Sequence, residues 1–339
     1  AKTNTLTPNY IQRITLVYKT YLQESTLLQK IFQKIEGKAK KTTKTPPTAS
    51  APSSKGTVAP KTPTQKFSGV LTKEQIEAEL ANLEPQTPWA HYYDFGNGYK
   101  SVDPSNAIFF KKATGLKTIG EGLADFTKSF LGRDDLTGLT ALDLACGEAG
   151  HSMEFANLGA TVLGVEGRDL YVKRCEFAAK AFGFENRCKF LKSDVRKVTA
   201  KDIGTYDISL LLGILHHLDQ DDFFPMLKNF AELTNRIGFI YTHVSEFDSV
   251  PNHRLKGPVM ANGRFEGYLF QEHKEGATEK EKLDQVRASL DNTYSFWARE
   301  EALLSALKEA GFSAVFKVLA PHPFEFPLSQ YRVLYGCIK

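Results

Sequence analysis

The strongest constraint on this chain is a rhythm. Residues 140–144, 161–165, 188–191, 206–212 and 237–243 read as short strands, and 150–158, 170–182 and 223–233 read as helices between them. The run 206–212 is almost wholly apolar, as a strand covered on both faces must be. Short strands alternating with helices predict a parallel sheet with helices on both sides. After an interruption, a helix over 299–310 and strands over 314–319 and 331–337 predict an antiparallel end to that sheet, joined through 321–327. The fold class expected is therefore α/β, Rossmann-like, with seven strands.

The rest of the 339 residues divides around this core. Residues 8–36 carry Ile11, Ile14, Val17, Tyr18, Leu28, Ile31 and Ile35 at helical spacing, which predicts one amphipathic helix. Its apolar face calls for a partner, either its own domain, a second copy or another protein. Residues 38–66 are rich in Lys, Thr, Pro, Ala and Ser and read as a disordered linker. They hold seven lysines and no acid; taking those charges off the formal +4 leaves −3 for the remainder. The basic balance thus sits in a tail, which argues against a nucleic-acid groove on the folded part. A lead-in over 67–137 has a short helix at 71–80, a hairpin around Gly96-Asn97-Gly98 and a helix over 105–131 broken near Gly115 or Gly120. Residues 246–297 interrupt the rhythm as a polar insertion with scattered aromatics. No apolar run reaches the roughly 18 residues needed to span a membrane. The polar start has no signal-peptide pattern, so a soluble, cytoplasmic protein is expected. Cys146, Cys175, Cys188 and Cys337 form no C-x-x-C pair and read as reduced, packed thiols.

Chemistry concentrates at the ends of the predicted strands. Asp143-Leu-Ala145-Cys146-Gly147-Glu-Ala149-Gly150 runs from a strand through small residues into a helix. Ligands of open α/β sheets bind beyond the carboxyl ends of the strands, and small residues let the backbone approach them. Glu166 ends the next strand, 19 residues after Gly147, where a carboxylate can accept from both hydroxyls of a ribose. Asp194 follows the third strand; it can receive an adenine amino group while Val195 covers the ring. Acids at three successive strand ends suit a cationic sulfonium with an adenosine tail better than a bare phosphate.

These residues resemble class I S-adenosylmethionine-dependent methyltransferases. The glycine motif of that family aligns on Asp143, Ala145, Gly147 and Ala149, with alanine at two of its three glycine positions. The resemblance implies S-adenosylmethionine as cofactor, Glu166 as the ribose acid and Asp194 as the adenine acid. It implies a cofactor site of Asp143, Ala145, Cys146, Gly147, Gly150, Glu166, Gly167, Asp194, Val195, Leu212 and Gly213. The run Gly213-Ile-Leu-His-His-Leu218 and Ser295-Phe-Trp297 are similar to bacterial small-molecule methyltransferases and to enzymes that alkylate the wobble uridine of tRNA.

Methyl transfer needs alignment first and a base only if the acceptor must lose a proton. His217 is the preferred candidate base, with His216 and His243 beside it; each also reads as a satisfied structural histidine. The insertion is the expected source of substrate contacts, with Arg254, Arg264 and Tyr268 as candidates. No metal-ligand spacing is present, and no metal is expected. The expected substrate is a small molecule methylated at oxygen or nitrogen. The alternatives are a tRNA-modifying enzyme, a nicotinamide-dependent oxidoreductase, for which the full Gly-x-Gly-x-x-Gly pattern is missing, and a non-catalytic scaffold.

Overall fold

The computed structural model describes residues 67–83, 88–245, 255–319 and 332–339, all within one unit, Lys61–Lys339. The helix expected over 8–36, the linker 38–66, Arg254 and the crossing 321–327 lie outside the described residues. Helix α1 (Lys73–Ala81) opens on a capping box, in which Thr72 and Gln75 each accept the other's backbone N–H. Strands β1 (Asp94–Gly96) and β2 (Tyr99–Lys100) form the expected hairpin. Its turn places Asn97 and Gly98 at φ of 52° and 86°, the signs a tight hairpin turn requires.

Helix α2 (Ala107–Phe130) runs unbroken for 24 residues, so the break expected near Gly115 or Gly120 does not occur. Gly120 serves packing. A Cβ there would lie 2.9 Å from His151 Nδ1 and 3.2 Å from Glu154 Cγ on the next helix. Close approach of the two helices offsets the roughly 1 kcal/mol that glycine costs a helix interior. Beside this contact the buried Lys117 ammonium donates to Glu121 and Glu154, each at 2.8 Å.

The predicted rhythm then appears in order: β3 (Thr140–Leu144), α3 (Gly150–Asn157), β4 (Thr161–Glu166), α4 (Asp169–Ala181), β5 (Cys188–Lys192), α5 (Ala200–Ile203), β6 (Tyr206–Leu212), a 3-10 turn (Leu215–His217), α6 (Phe223–Leu233) and β7 (Thr234–His243). These five strands pair in parallel. Beyond the insertion come β8 (Leu255–Ala261), β9 (Phe265–Gln271), α7 (Glu279–Asp284), β10 (Tyr294–Ala298), α8 (Glu300–Glu309), β11 (Ala314–Lys317) and β12 (Arg332–Ile338). The large sheet has seven strands in the order β11-β12-β7-β6-β3-β4-β5. Strand β12 runs antiparallel to β7 and β11, the expected antiparallel end.

Alternation along each strand divides two cores. Ala141, Val162, Ile208, Leu210 and Phe239 face α2, α3 and α4 together with aromatics of the lead-in. Leu142, Leu144, Leu211 and Ile240 face α6 and α8. That division follows from side chains pointing to opposite faces at successive positions.

The insertion is more ordered than a polar interruption. Strands β8, β9 and β10 make a second, antiparallel sheet in the order β10-β9-β8. Phe265 and Phe296 pack on Phe223 of α6, with ring centroids 5.8 and 5.0 Å away. The insertion is thus fastened to the second core rather than lying on the surface. Among the described residues no helix is long and apolar enough to cross a membrane.

Candidate active site

The strand order reverses beside β3, which lies between β4 and β6. A crevice opens there beyond the carboxyl ends of the strands, the place where such sheets bind ligands. It holds a cavity of about 270 Å³. The turn after β3 forms one wall. Ala145, Gly147 and Ala149 adopt φ of 57°, 58° and 62°, so the two alanines keep the left-handed backbone that glycine would take freely. Such strain costs an alanine on the order of 1 kcal/mol or more. Asp143 is buried behind the turn, where it accepts from Ser152 Oγ at 2.7 Å and burial pushes its carboxyl up to about 6. It does not line the cavity; it organises the turn. Gly150 also stays off the cavity wall, because the His91 ring occupies its side-chain position, with Cδ2 2.1 Å from where a Cβ would sit.

Glu148, which no sequence motif singles out, pins the lead-in over the turn. It accepts from the N–H groups of Ala90 and His91 at 2.8 and 2.9 Å and from Arg174 at 2.7 Å. Burial alone would raise its pKa, but His91 and Arg174 outweigh burial and hold the carboxyl below its ordinary value.

Glu166 reaches the cavity from the end of β4. Its two oxygens accept from Gly147 N at 3.0 Å and Arg168 N at 2.9 Å, yet burial pushes it up to about 7. Each carboxylate oxygen keeps a second lone pair, so a ribose fits beside these bonds. Ala145, Cys146, Gly147, Gly167, Asp194, Val195, Leu212 and Gly213 line the same cavity. Asp194 is held by Arg196, whose guanidinium also reaches Asp222 and Asp291. Burial raises the Asp194 pKa less than Arg196 lowers it, so this carboxylate stays ionised.

Residues 283–292 of the insertion close the cavity as a strap. Arg168 donates to the carbonyls of Leu283, Gln285 and Ala288 at 2.6, 3.2 and 3.1 Å. Tyr171 Oη donates to Val286 O at 3.0 Å, and Arg196 meets Asp291 at 2.6 Å. Leu290 lies over Gly167, where a Cβ would come within 2.7 Å of its Cδ1.

The three histidines cluster, with the His216 ring centroid 4.4 Å from His217 and 4.5 Å from His243, but their surroundings differ. His216 is buried with Nδ1 3.3 Å from Thr242 Oγ1, and burial first, then His217, His243 and Arg332, hold its pKa well below the usual value. It borders the cavity as a neutral ring. His243 does not border the cavity; its ring stacks on Trp297 at 4.2 Å, and Nε2 accepts from Arg332 Nε at 2.8 Å. His217 lines the cavity, and its Nδ1 lies 2.8 Å from Glu272 Oε1. Ser295 Oγ donates to that same oxygen at 2.8 Å. Burial raises the Glu272 pKa, but His217 and Ser295 together bring it below its ordinary value. An ionised carboxylate can only accept, so His217 Nδ1 is the donor of this pair and Nε2 takes no part in it.

The substrate candidates on the insertion are placed elsewhere. Arg264 pairs with Glu309 at 2.5 Å and stacks over Phe224 and Phe265, and Tyr268 Oη accepts from Arg299 at 3.2 Å. Neither lines the cavity.

Residues 141–238 match a family described as a methyltransferase domain. The matched stretch spans the strands and helices from β3 into β7, which build the parallel part of the large sheet. Solved structures share the fold. The N-terminal domain of EvdMO1, determined in the presence of S-adenosylhomocysteine and D-fucose, is 18% identical, with 79% of this chain and 97% of that one covered at a TM-score of 0.56. The same domain with S-adenosylhomocysteine bound gives 18%, 79%, 95% and 0.55. Whole EvdMO1 is 17% identical at a TM-score of 0.50, with 81% of this chain covered and about half, 49%, of that one.

Proposed function

We propose that the protein transfers a methyl group from S-adenosylmethionine to an oxygen or nitrogen of a small, sugar-like metabolite. The observation that carries this reading is His217, which lines the same cavity as Glu166 and Asp194 and is paired with Glu272. The family match over 141–238 supports methyl transfer, and the EvdMO1 domain determined with S-adenosylhomocysteine and D-fucose supports the acceptor class. Glu166 is suited to the ribose hydroxyls, Asp194 to the adenine amino group, and Val195 to the face of the adenine. When bound, S-adenosylmethionine supplies a methyl carbon on a positively charged sulfur, and the carbon–sulfur electron pair stays with sulfur as that bond breaks. His217 Nε2 takes the acceptor's proton as the acceptor atom closes on that carbon. Glu272 holds the ring in the required tautomer and stabilises the imidazolium that forms, while Ser295 fixes the carboxylate.

The test is turnover with a panel of sugars and hydroxy metabolites, read as S-adenosylhomocysteine release and a product heavier by one methylene. His217→Gln is expected to cut kcat by about 10²–10⁴-fold while S-adenosylhomocysteine binds as tightly as to wild type. Undiminished turnover in His217→Gln would remove the base from the account.

A further inference from the structure

Several cations of the described fold face a carboxylate. Arg174 meets Glu148, Lys117 meets Glu154, Arg236 meets Asp207, Arg299 meets Glu266 and Lys317 meets Glu300. Lys112, Arg287 and Arg332 break this pattern. All three line the cavity, yet among the described residues none has a carboxylate within salt-bridge distance. They come from three separate elements: α2, the strap and the first residue of β12. Arg287 lies over the Phe109 ring at 5.0 Å, one turn from Lys112 on α2. Arg332 is aimed by His243, which accepts from its Nε at 2.8 Å, and by Tyr241, whose ring it covers at 5.2 Å. Desolvation first, then Arg287 and Arg332, lower the Lys112 pKa, so Lys112 feels both guanidinium charges.

Like charges are not gathered in a cleft without an anion to meet them. S-adenosylmethionine does not bring enough. Its sulfonium and ammonium outnumber its single carboxylate, so it enters as a net cation. On the acidic side, Asp194 is already matched by Arg196. A bound cofactor alone would therefore leave the three cations facing additional positive charge.

We propose that Lys112, Arg287 and Arg332 form an anion subsite for the methyl acceptor, whose substrate class is a small hydroxyl- or amine-bearing metabolite carrying a carboxylate or phosphate. The inference rests on the methyltransferase reading and narrows it. The anionic group is held by the three cations, and the reacting hydroxyl or amine is presented to His217 on the same cavity. His243 acts as a positioning residue, through Arg332.

The experiment uses the full chain saturated with S-adenosylhomocysteine. Inorganic phosphate and acetate are titrated at constant ionic strength, with chloride as the control, and Tm is followed. A saturable rise in Tm with phosphate or acetate but not with chloride is expected; the stronger of the two identifies the anion. The rise should vanish in the double variant Lys112→Gln/Arg332→Gln and persist in Lys112→Arg. Calorimetry should find S-adenosylhomocysteine affinity unchanged within about threefold in the double variant, less than 1 kcal/mol. No saturable effect of either anion on wild type overturns the proposal. So does a loss of tenfold or more in S-adenosylhomocysteine affinity in the double variant, which would assign these cations to the cofactor's own carboxylate. Failure of wild type to bind S-adenosylhomocysteine at all is a different result: it takes down the methyltransferase reading itself.

Discussion

Ala149 shows how a sequence motif and a backbone can disagree in letters and agree in geometry. Its φ of 62° is one that glycine adopts without strain. Ala149→Gly is therefore expected to leave stability unchanged or raise it by up to about 1 kcal/mol, measured by denaturant unfolding. Ala156→Gly, in the buried last turn of the following helix, should cost about 1 kcal/mol. Glu166 carries a second prediction. Burial raises its pKa to about 7 in the folded protein, from 4.5 when exposed. The unfolded chain releases this proton first, so between those values the group's contribution to the stability of the free protein falls as pH rises. Under the proposed function ligand binding runs the other way, because ribose hydroxyls would need the carboxylate as acceptor. S-adenosylhomocysteine affinity should rise about tenfold from pH 6 to pH 8, and Glu166→Gln should lose that step. Glu166, Asp194 and the turn were legible in the sequence because each sits at a strand end at fixed spacing from its neighbour. Lys112, Arg287, Arg332 and Glu272 were not. They lie in four separate segments, and only the folded chain brings the three cations to the cavity and Glu272 to His217 at its wall.

At the scale of elements, the strap 283–292 decides how the cofactor side is closed. Arg168 alone donates to three of its carbonyls. Arg168→Ala should weaken S-adenosylhomocysteine binding by about tenfold, roughly 1.4 kcal/mol, chiefly through faster dissociation. Amide exchange over 283–292 should quicken in the same variant, and unchanged exchange there would detach the strap from Arg168. The core strands were readable because burial on both faces leaves long apolar runs, as in β6. The sheet of the insertion was not readable. Its strands β9 and β10 pair across the intervening 272–293, and β8 is mostly exposed, with burial only toward its end. Helix α2 misled in the opposite sense. Gly120 signals a helix break in isolation, and only the facing His151 and Glu154 reveal it as a contact.

For the whole molecule, the architecture separates stability from chemistry. Two apolar cores hold the sheet from both sides, while the cavity gathers residues from the lead-in, the strand ends, the insertion and β12. That convergence explains why the class of ligand could be read from the core strands while the acceptor contacts could not. The central claim is that Glu166 and the turn after β3 receive an adenosyl ligand of the methyltransferase kind rather than a dinucleotide. Calorimetry of the full chain against S-adenosylhomocysteine and NAD, with wild type and Glu166→Ala in parallel, measures this directly. The account predicts that wild type binds S-adenosylhomocysteine and not NAD, and that Glu166→Ala weakens that binding at least tenfold, about 1.4 kcal/mol. Binding of NAD without S-adenosylhomocysteine would contradict it.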